Sequence, residues 1–196
     1  GYTATSFLMS YINPEIESEY NKDGERLGLS VSVKMLDENA YSKVYAPKEI
    51  STWVDKIFKR LGMKYDLYTE GEKDSTTQLS VESNTTLKMS KIIVRKAGDE
   101  LEKEFRQAIM DSIKQKNDMI ELVINLNLPS CAYAYEIAKK CDFSLSGIIP
   151  GSENGDYMIM QMLLGDKMDY DNLVLVGEFE ELREDIINIA GNKKEV

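Results

Sequence analysis

Between Leu27 and Met35 the chain alternates without a break, with Leu27, Leu29, Val31, Val33 and Met35 on one phase and Gly28, Ser30, Ser32 and Lys34 on the other. A period of two is the signature of an antiparallel strand with one wet face. From Ile50 to Leu61 the period changes: Ile50, Trp53, Val54, Ile57, Phe58 and Leu61 recur at helical spacing, Pro47 suits the first helical position and Gly62 a terminus. A chain that switches period in this way must pack helices against a sheet, so a mixed α/β fold is expected.

The same reading extends along the chain. Phe7, Met9 and Tyr11 share a phase, so residues 3–12 are expected to pair with 27–35 as a hairpin through "NKDGE". "TTQLSVES" and "TTLKMSKIIVRK" read as two strands turning near Asn84, and the phase change between Leu87/Met89 and Ile92/Val94 predicts a bulge near Ser90 and Lys91. A helix from Asp99 to about Lys116 follows, with Leu101, Phe105, Ala108, Ile109 and Ile113 inward, then the strand "MIELVINLNL" and a helix from Ser130 to Cys141. "FSLSGIIPG" and "DYMIMQMLL" form a hairpin whose loop carries the turn pair Asn154-Gly155. A short strand, "NLVLVG", and a helix whose first turn holds Glu178, Glu180 and Glu181 complete the chain. One domain over residues 1–196 is expected: an N-terminal hairpin and helix (1–75), a core (76–164) and a C-terminal strand and helix (165–196).

Composition excludes whole classes of chemistry. A formal net charge of -10 sets the average surface against nucleic acid and anionic lipid, so any anion site must be local. The absence of histidine removes Ser-His-Asp and Cys-His triads, histidine zinc sites and imidazole acid-base catalysis. Cys131 and Cys141 lie too far apart on one predicted helix to meet, which makes them buried reduced thiols. No apolar run approaches the roughly 20 residues of a membrane span, and no secretory pattern opens the sequence, so a cytoplasmic location is the expectation.

The order strand, strand, helix, strand, helix, strand, strand over residues 76–164 resembles the core of the GNAT acyltransferase family. "SCAYAYEIAKKCDFSLSGIIP" looks like the segment in which that family's second core helix ends in a Gly-Phe corner, here Asp142-Phe143. With "KVYAPKEISTWVDKIFKRLG" and "GDYMIMQML", it resembles more narrowly a GNAT-like domain found at the C-terminal side of some bacterial proteins with an anti-sigma-factor-type ATPase domain. The resemblance implies a mostly antiparallel central sheet flanked by helices, N-acetyltransferase activity with acetyl-CoA as cofactor, and a homodimer or an adjoining ATPase domain as partner.

In that family a Gln/Arg-x-x-Gly-x-Gly/Ala loop between a strand and the first core helix grips the coenzyme A diphosphate through backbone N–H groups. Arg95, Lys96, Ala97 and Gly98 stand there in this chain and are the implied cofactor-binding residues. Glu100 departs from the pattern, and Asp99 with Glu102 reads as a capping box that takes up the same N–H groups. Lys88, Lys91, Arg95 and Lys96 form an acid-free basic run, which either attracts an anion or protects a strand edge. The position of the family's acidic tyrosine is Ala138, leaving Tyr133 as the candidate acid, with Glu82 and Glu121 as candidate bases. Tyr135 belongs with Cys131, Ala134 and Ala138 on a core face. The acids of "DKMDYD" lack the spacing of a calcium loop, and Met158, Met160 and Met162 read as core filling. Three functions remain open: acyl transfer from acetyl-CoA to an amine, a GNAT-like module without catalysis that senses a ligand or docks a protein, or a structural interaction domain with no small ligand.

Overall fold

A computed structural model of the chain describes residues 1–16, 26–152, 154–164, 170 and 175–191. The elements follow in the order β1 (Thr3–Ile12), β2 (Leu27–Val33), β3 (Tyr41–Tyr45), α1 (Ser51–Arg60), β4 (Lys64–Tyr68), β5 (Gln78–Asn84) and β6 (Met89–Lys96). They continue with α2 (Leu101–Lys114), β7 (Met119–Asn125), α3 (Cys131–Lys140), β8 (Ser144–Ser152), β9 (Gly155–Leu163) and α4 (Glu178–Gly191). Seven strands form one sheet in the order β2-β1-β8-β9-β7-β6-β5, while β3 and β4 pair separately in parallel. Among the described strands of the large sheet, β6 and β7 run parallel and the other neighbours antiparallel. The chain is therefore mixed α/β, with a large, mostly antiparallel sheet and four helices among the described residues.

The strand periodicity sorts side chains between two faces. Phe7, Met9, Ile92, Val94, Leu122, Ile124, Met158 and Met160 join a core that includes buried residues of all four helices. Their neighbours of opposite phase, Leu8, Val123 and Ile159, form a second, smaller cluster with Ile93, Ile149 and Tyr157. All four helices thus cover one face, and the other carries a thin apolar layer.

The helices end as their sequences dictate. Gly62, at φ +68°, closes α1: Met63 N–H reaches Phe58 O and Gly62 N–H reaches Lys59 O, the paired bonds of a left-handed C-terminal cap. Asp142 plays the same part after α3 at φ +66°, with Phe143 N–H on Ala138 O and Asp142 N–H on Lys139 O. The Cys-Asp-Phe corner is this cap, and the fully buried Phe143 ring meets Phe105 of α2 at 5.9 Å. Lys116, at φ +57°, ends α2 likewise. Both cysteines are buried and unbridged.

The first hairpin does more than extend the sheet. β1 touches β8 at one register position, Ser6 opposite Gly147, where a Cβ on Gly147 would lie 2.3 Å from Ser6 Cα. Beyond it β1 breaks register with β2 between Leu8 and Ile12, and Ser10 takes φ +49°. The hairpin's far end then bends across the open face. Gln161 Oε1 accepts Met9 N–H at 2.9 Å and Nε2 donates to Met9 O at 3.2 Å, so a buried side chain stands in for ladder bonds. Arg26 fastens the end, donating to Ser10 O, Leu87 O and Asp118 Oδ2 at 2.6, 2.9 and 2.9 Å.

Four expectations are corrected here. Tyr11 does not share a face with Phe7 and Met9, because the break at Ser10 turns it to the second cluster. The irregularity of β6 lies at Arg95, which is skipped between Leu79–Val94 and Gln78–Lys96; Ser90 and Lys91 pair regularly with Ser83 and Glu82. The phase conflict arose because β6 is an interior strand buried on both faces and starts only at Met89. Ile113 is exposed, and Ser112 takes the inward position, bonding Ser90 Oγ at 2.8 Å. Of the expected strand 172–177, residues 172–174 lie outside the described residues, and Leu175–Gly177 are not strand. The hairpin connection at 21–25 and most of "DKMDYD" also lie outside them.

Candidate functional site

Two places bear on the candidate ligand: the β6–α2 junction that the resemblance assigns to a cofactor, and the open face beneath the bent hairpin. The junction is a sharp strand-to-helix turn, but two of its amides, those of Ala97 and Gly98, are already used. Asp74 Oδ2 accepts the Ala97 N–H at 2.8 Å and the Ser130 Oγ–H, at the start of α3, at 2.6 Å. Asp74 N–H returns a bond to Ala97 O at 2.9 Å, and Thr77 Oγ1 accepts the Gly98 N–H at 3.2 Å. A segment running from Gly71 to Thr77 lies across the turn so closely that a Cβ on Gly98 would stand 2.6 Å from the Thr76 carbonyl carbon. A Cβ on Gly71 would stand 2.0 Å from Pro129 O.

The residues present therefore do not fit a coenzyme A diphosphate at this junction: a carboxylate of the chain holds one amide, a hydroxyl holds another, and backbone fills the space above the glycine. The local capping box is not formed either. No side chain caps α2, and Asp99 is instead an exposed partner of Lys73. An acid distant in sequence does what Asp99 was expected to do.

The open face holds a groove of about 770 Å³. Leu8, Tyr11, Leu29 and Val31 of the hairpin form one wall; Ile93, Val123, Ile149 and Ile159 of the sheet form the floor. Lys91 and Glu121 sit side by side on the parallel strands β6 and β7, with Lys91 Nζ 2.8 Å from Glu121 Oε1. Glu121 is nearly enclosed, its side chain 4% exposed. Burial works against the Lys91 charge, yet the Glu121 carboxylate raises its affinity for the proton above the ordinary lysine value. Burial first, and the Glu121 charge second, push the Tyr11 phenol up, so Tyr11 stays neutral beside the pair.

Arg95 and Asn125 lie where β6 and β7 end, the carboxyl side of the parallel pair, and both line the groove. Lys88 is taken by Glu15 at 2.6 Å and Lys91 by Glu121, whereas Arg95 has no hydrogen-bond or ion-pair partner among the described residues.

Of the charged residues singled out in the sequence, the groove thus joins Lys91, Arg95 and Glu121. Lys96 is exposed at the end of β6, while Ala97 and Gly98 are buried under the 71–77 segment. Glu82 is exposed on the edge strand β5, opposite Lys91. Tyr133 is half-buried on α3, packed on the helix-side core and near Lys73, away from the groove. Tyr135 is core, as expected, and its hydroxyl donates to Glu49. Sequence reasoning missed Lys91 as the partner of Glu121, and Tyr11; the alternation of β6 and β7 places Lys91 and Glu121 on one face, but only the strand order makes them neighbours.

A second polar cluster is structural. Buried Asp156 accepts from Ser42 Oγ, from Asn127 Nδ2 at 2.9 Å and from Gly151 N–H at 2.7 Å, tying β3 to the β8–β9 turn. Among the described residues no group of cysteine or acidic side chains is placed to hold a metal ion, and no described helix is long and apolar enough to cross a membrane. No family model, no curated protein and no solved structure matches the chain.

Proposed function

We propose that this chain is a GNAT-like module that binds a small ligand in the groove beneath its first hairpin, as the sensing or docking part of a larger bacterial signalling protein, without transferring an acyl group. One observation carries the reading. The amide that the resemblance assigns to the cofactor is held by Asp74, while a separate groove of ligand size stands open on the other face of the sheet. The GNAT-like description rests on the strand and helix order of residues 76–164. The test is calorimetric titration of acetyl-CoA: no heat of binding at millimolar cofactor is expected. Saturable micromolar binding, abolished by Arg95→Glu, overturns the reading in favour of the enzyme.

Acyl transfer is the second reading, and the position of Glu121 favours it. Glu121 is a nearly enclosed carboxylate that lines the groove, which is wide enough to bring an amine to it. Turnover of acetyl-CoA with a panel of amines, lost in Glu121→Gln with folding intact, would establish it.

A further inference from the structure

We infer that the ligand of this groove is an elongated apolar molecule with a single negative charge, of the medium-chain carboxylate class, whose carboxylate pairs with Arg95. The inference deepens the ligand-binding reading and rests on it.

Three observations specify the class. Leu8, Leu29, Val31, Ile93, Val123 and Ile159 give the groove an aliphatic stretch, while Tyr11, Tyr157, Asn125 and Asn154 add polar groups to its lining. Such a stretch favours an apolar body by roughly 25 cal/mol per Å² removed from water. At one end the groove meets the Lys91–Glu121 pair, internally neutral at 2.8 Å. At the other end stands Arg95, exposed and lacking any partner among the described residues, in a chain whose net charge of -10 offers an abundance of acids.

The position of Arg95 follows from the backbone. β5 skips it, pairing Leu79 with Val94 and Gln78 with Lys96, so Arg95 is the extra residue of a bulge at the end of an otherwise regular ladder. A bulge re-aims the residue it releases, and Arg95 lines the groove together with Asn125 and Asn154. A guanidinium with free donors forms two parallel bonds to a carboxylate, which fixes orientation as well as adding affinity.

Charge decides the number of negative groups. Among the described lining residues two cations stand against one carboxylate, an excess of one positive charge. A single anionic head is matched; a dianion brings a second charge into a chain that is acidic overall, with no local cation to meet it.

The experiment is calorimetry at constant ionic strength, below micelle formation, with decanoate, decanol, decylamine and monodecyl phosphate. Decanoate is expected to bind saturably, at least ten-fold tighter than decanol or decylamine and tighter than the phosphate. Arg95→Gln, an exposed and unpaired position, should bring decanoate to the level of decanol, and Val31→Trp, which narrows the groove, should remove both. Equal binding of decanoate and decanol, unaltered in Arg95→Gln but lost in Val31→Trp, overturns the anion and leaves the groove as a binding site. Tighter binding of decylamine likewise overturns it. Silence from all four compounds overturns the inference together with the ligand-binding reading.

Discussion

The Asp74 carboxylate accepts the Ala97 N–H at 2.8 Å although the two residues are 23 positions apart, and the same oxygen takes the Ser130 hydroxyl at 2.6 Å. One side chain thereby links the β6–α2 turn to the beginning of α3. Asp74→Ala leaves a buried amide without an acceptor and is expected to cost about 1–3 kcal/mol. Asp74→Asn keeps an acceptor oxygen and should cost less. Urea unfolding of the two variants gives the ordering, and an Asp74→Ala midpoint equal to that of the parent removes the linking role.

Asp142 occupies the position that a glycine fills most readily. At φ +66° it pays the steric cost of a left-handed residue, which for an L-residue is on the order of 1–2 kcal/mol and is partly relieved for Asp. Asp142→Gly should raise stability by about 0.5–1 kcal/mol after the greater freedom of glycine in the unfolded chain is subtracted. A rise in melting temperature checks it. Asp142→Ala should lower it, because the cap bonds require the left-handed turn.

The acid limb of the stability curve should carry the mark of Glu181. Hydrogen bonds from Lys56 first and Arg60 second, at 2.7 Å each, lower its carboxyl from an ordinary 4.5 to about 2. The folded pKa is the depressed one, so the unfolded chain binds the proton more readily. The stabilisation is complete above about 4.5 and is lost as pH falls from there through about 2. The carboxylate is nearly half exposed, so solvent and salt reduce the effect. Glu181→Gln should flatten the fall of the urea midpoint between pH 5 and 3 and leave neutral pH with a small loss. A slope unchanged from the parent contradicts the assignment.

Much of this arrangement was legible in the sequence because it is local. The period-two run 27–35, of which 27–33 is strand, the helical spacing around Trp53, the Gly62 terminus and the hairpin of "FSLSGIIPG" and "DYMIMQMLL" each depend on neighbours within a few residues, and each formed. The cap of α2 was misjudged for the converse reason. Asp99 was the local acid, but it ion-pairs with Lys73, and the acid that reaches the turn comes from 23 residues upstream. Among the candidate carboxylates, Glu82 and Glu121 both lie on strands and on the same side of the sheet as Lys91. Burial separates them, and burial follows from strand order: β5 is an edge and β7 is interior. No spacing rule reports that order. The bend at Ser10 and the clamp by Arg26 are likewise long-range, which is why Tyr11 was assigned to the wrong face.

Arg26 fastens the far end of the hairpin that walls the groove, and its removal should loosen one part of the molecule selectively. Its side chain is 14% exposed and donates to two backbone carbonyls and one carboxylate: Ser10 O on its own hairpin, Leu87 O in the β5–β6 turn and Asp118 just before β7. A lysine has one ammonium and cannot reach three acceptors spread around a planar fork, so Arg26→Lys should behave nearly as Arg26→Met. Both leave poorly solvated acceptors and should cost about 1.5–3 kcal/mol, the range for hydrogen bonds to a charged group. The loss should not be uniform. The inner half of the hairpin remains held by Ser6 against Gly147 and by Gln161 on Met9, so opening should begin at Ile12 and Leu27 and stop near Met9. Hydrogen exchange in Arg26→Met is therefore expected to accelerate in the distal hairpin while β7 and β9 keep the protection of the interior of the sheet. Equal acceleration in all strands would mean that Arg26 contributes to global stability alone and that the groove has no separately hinged wall.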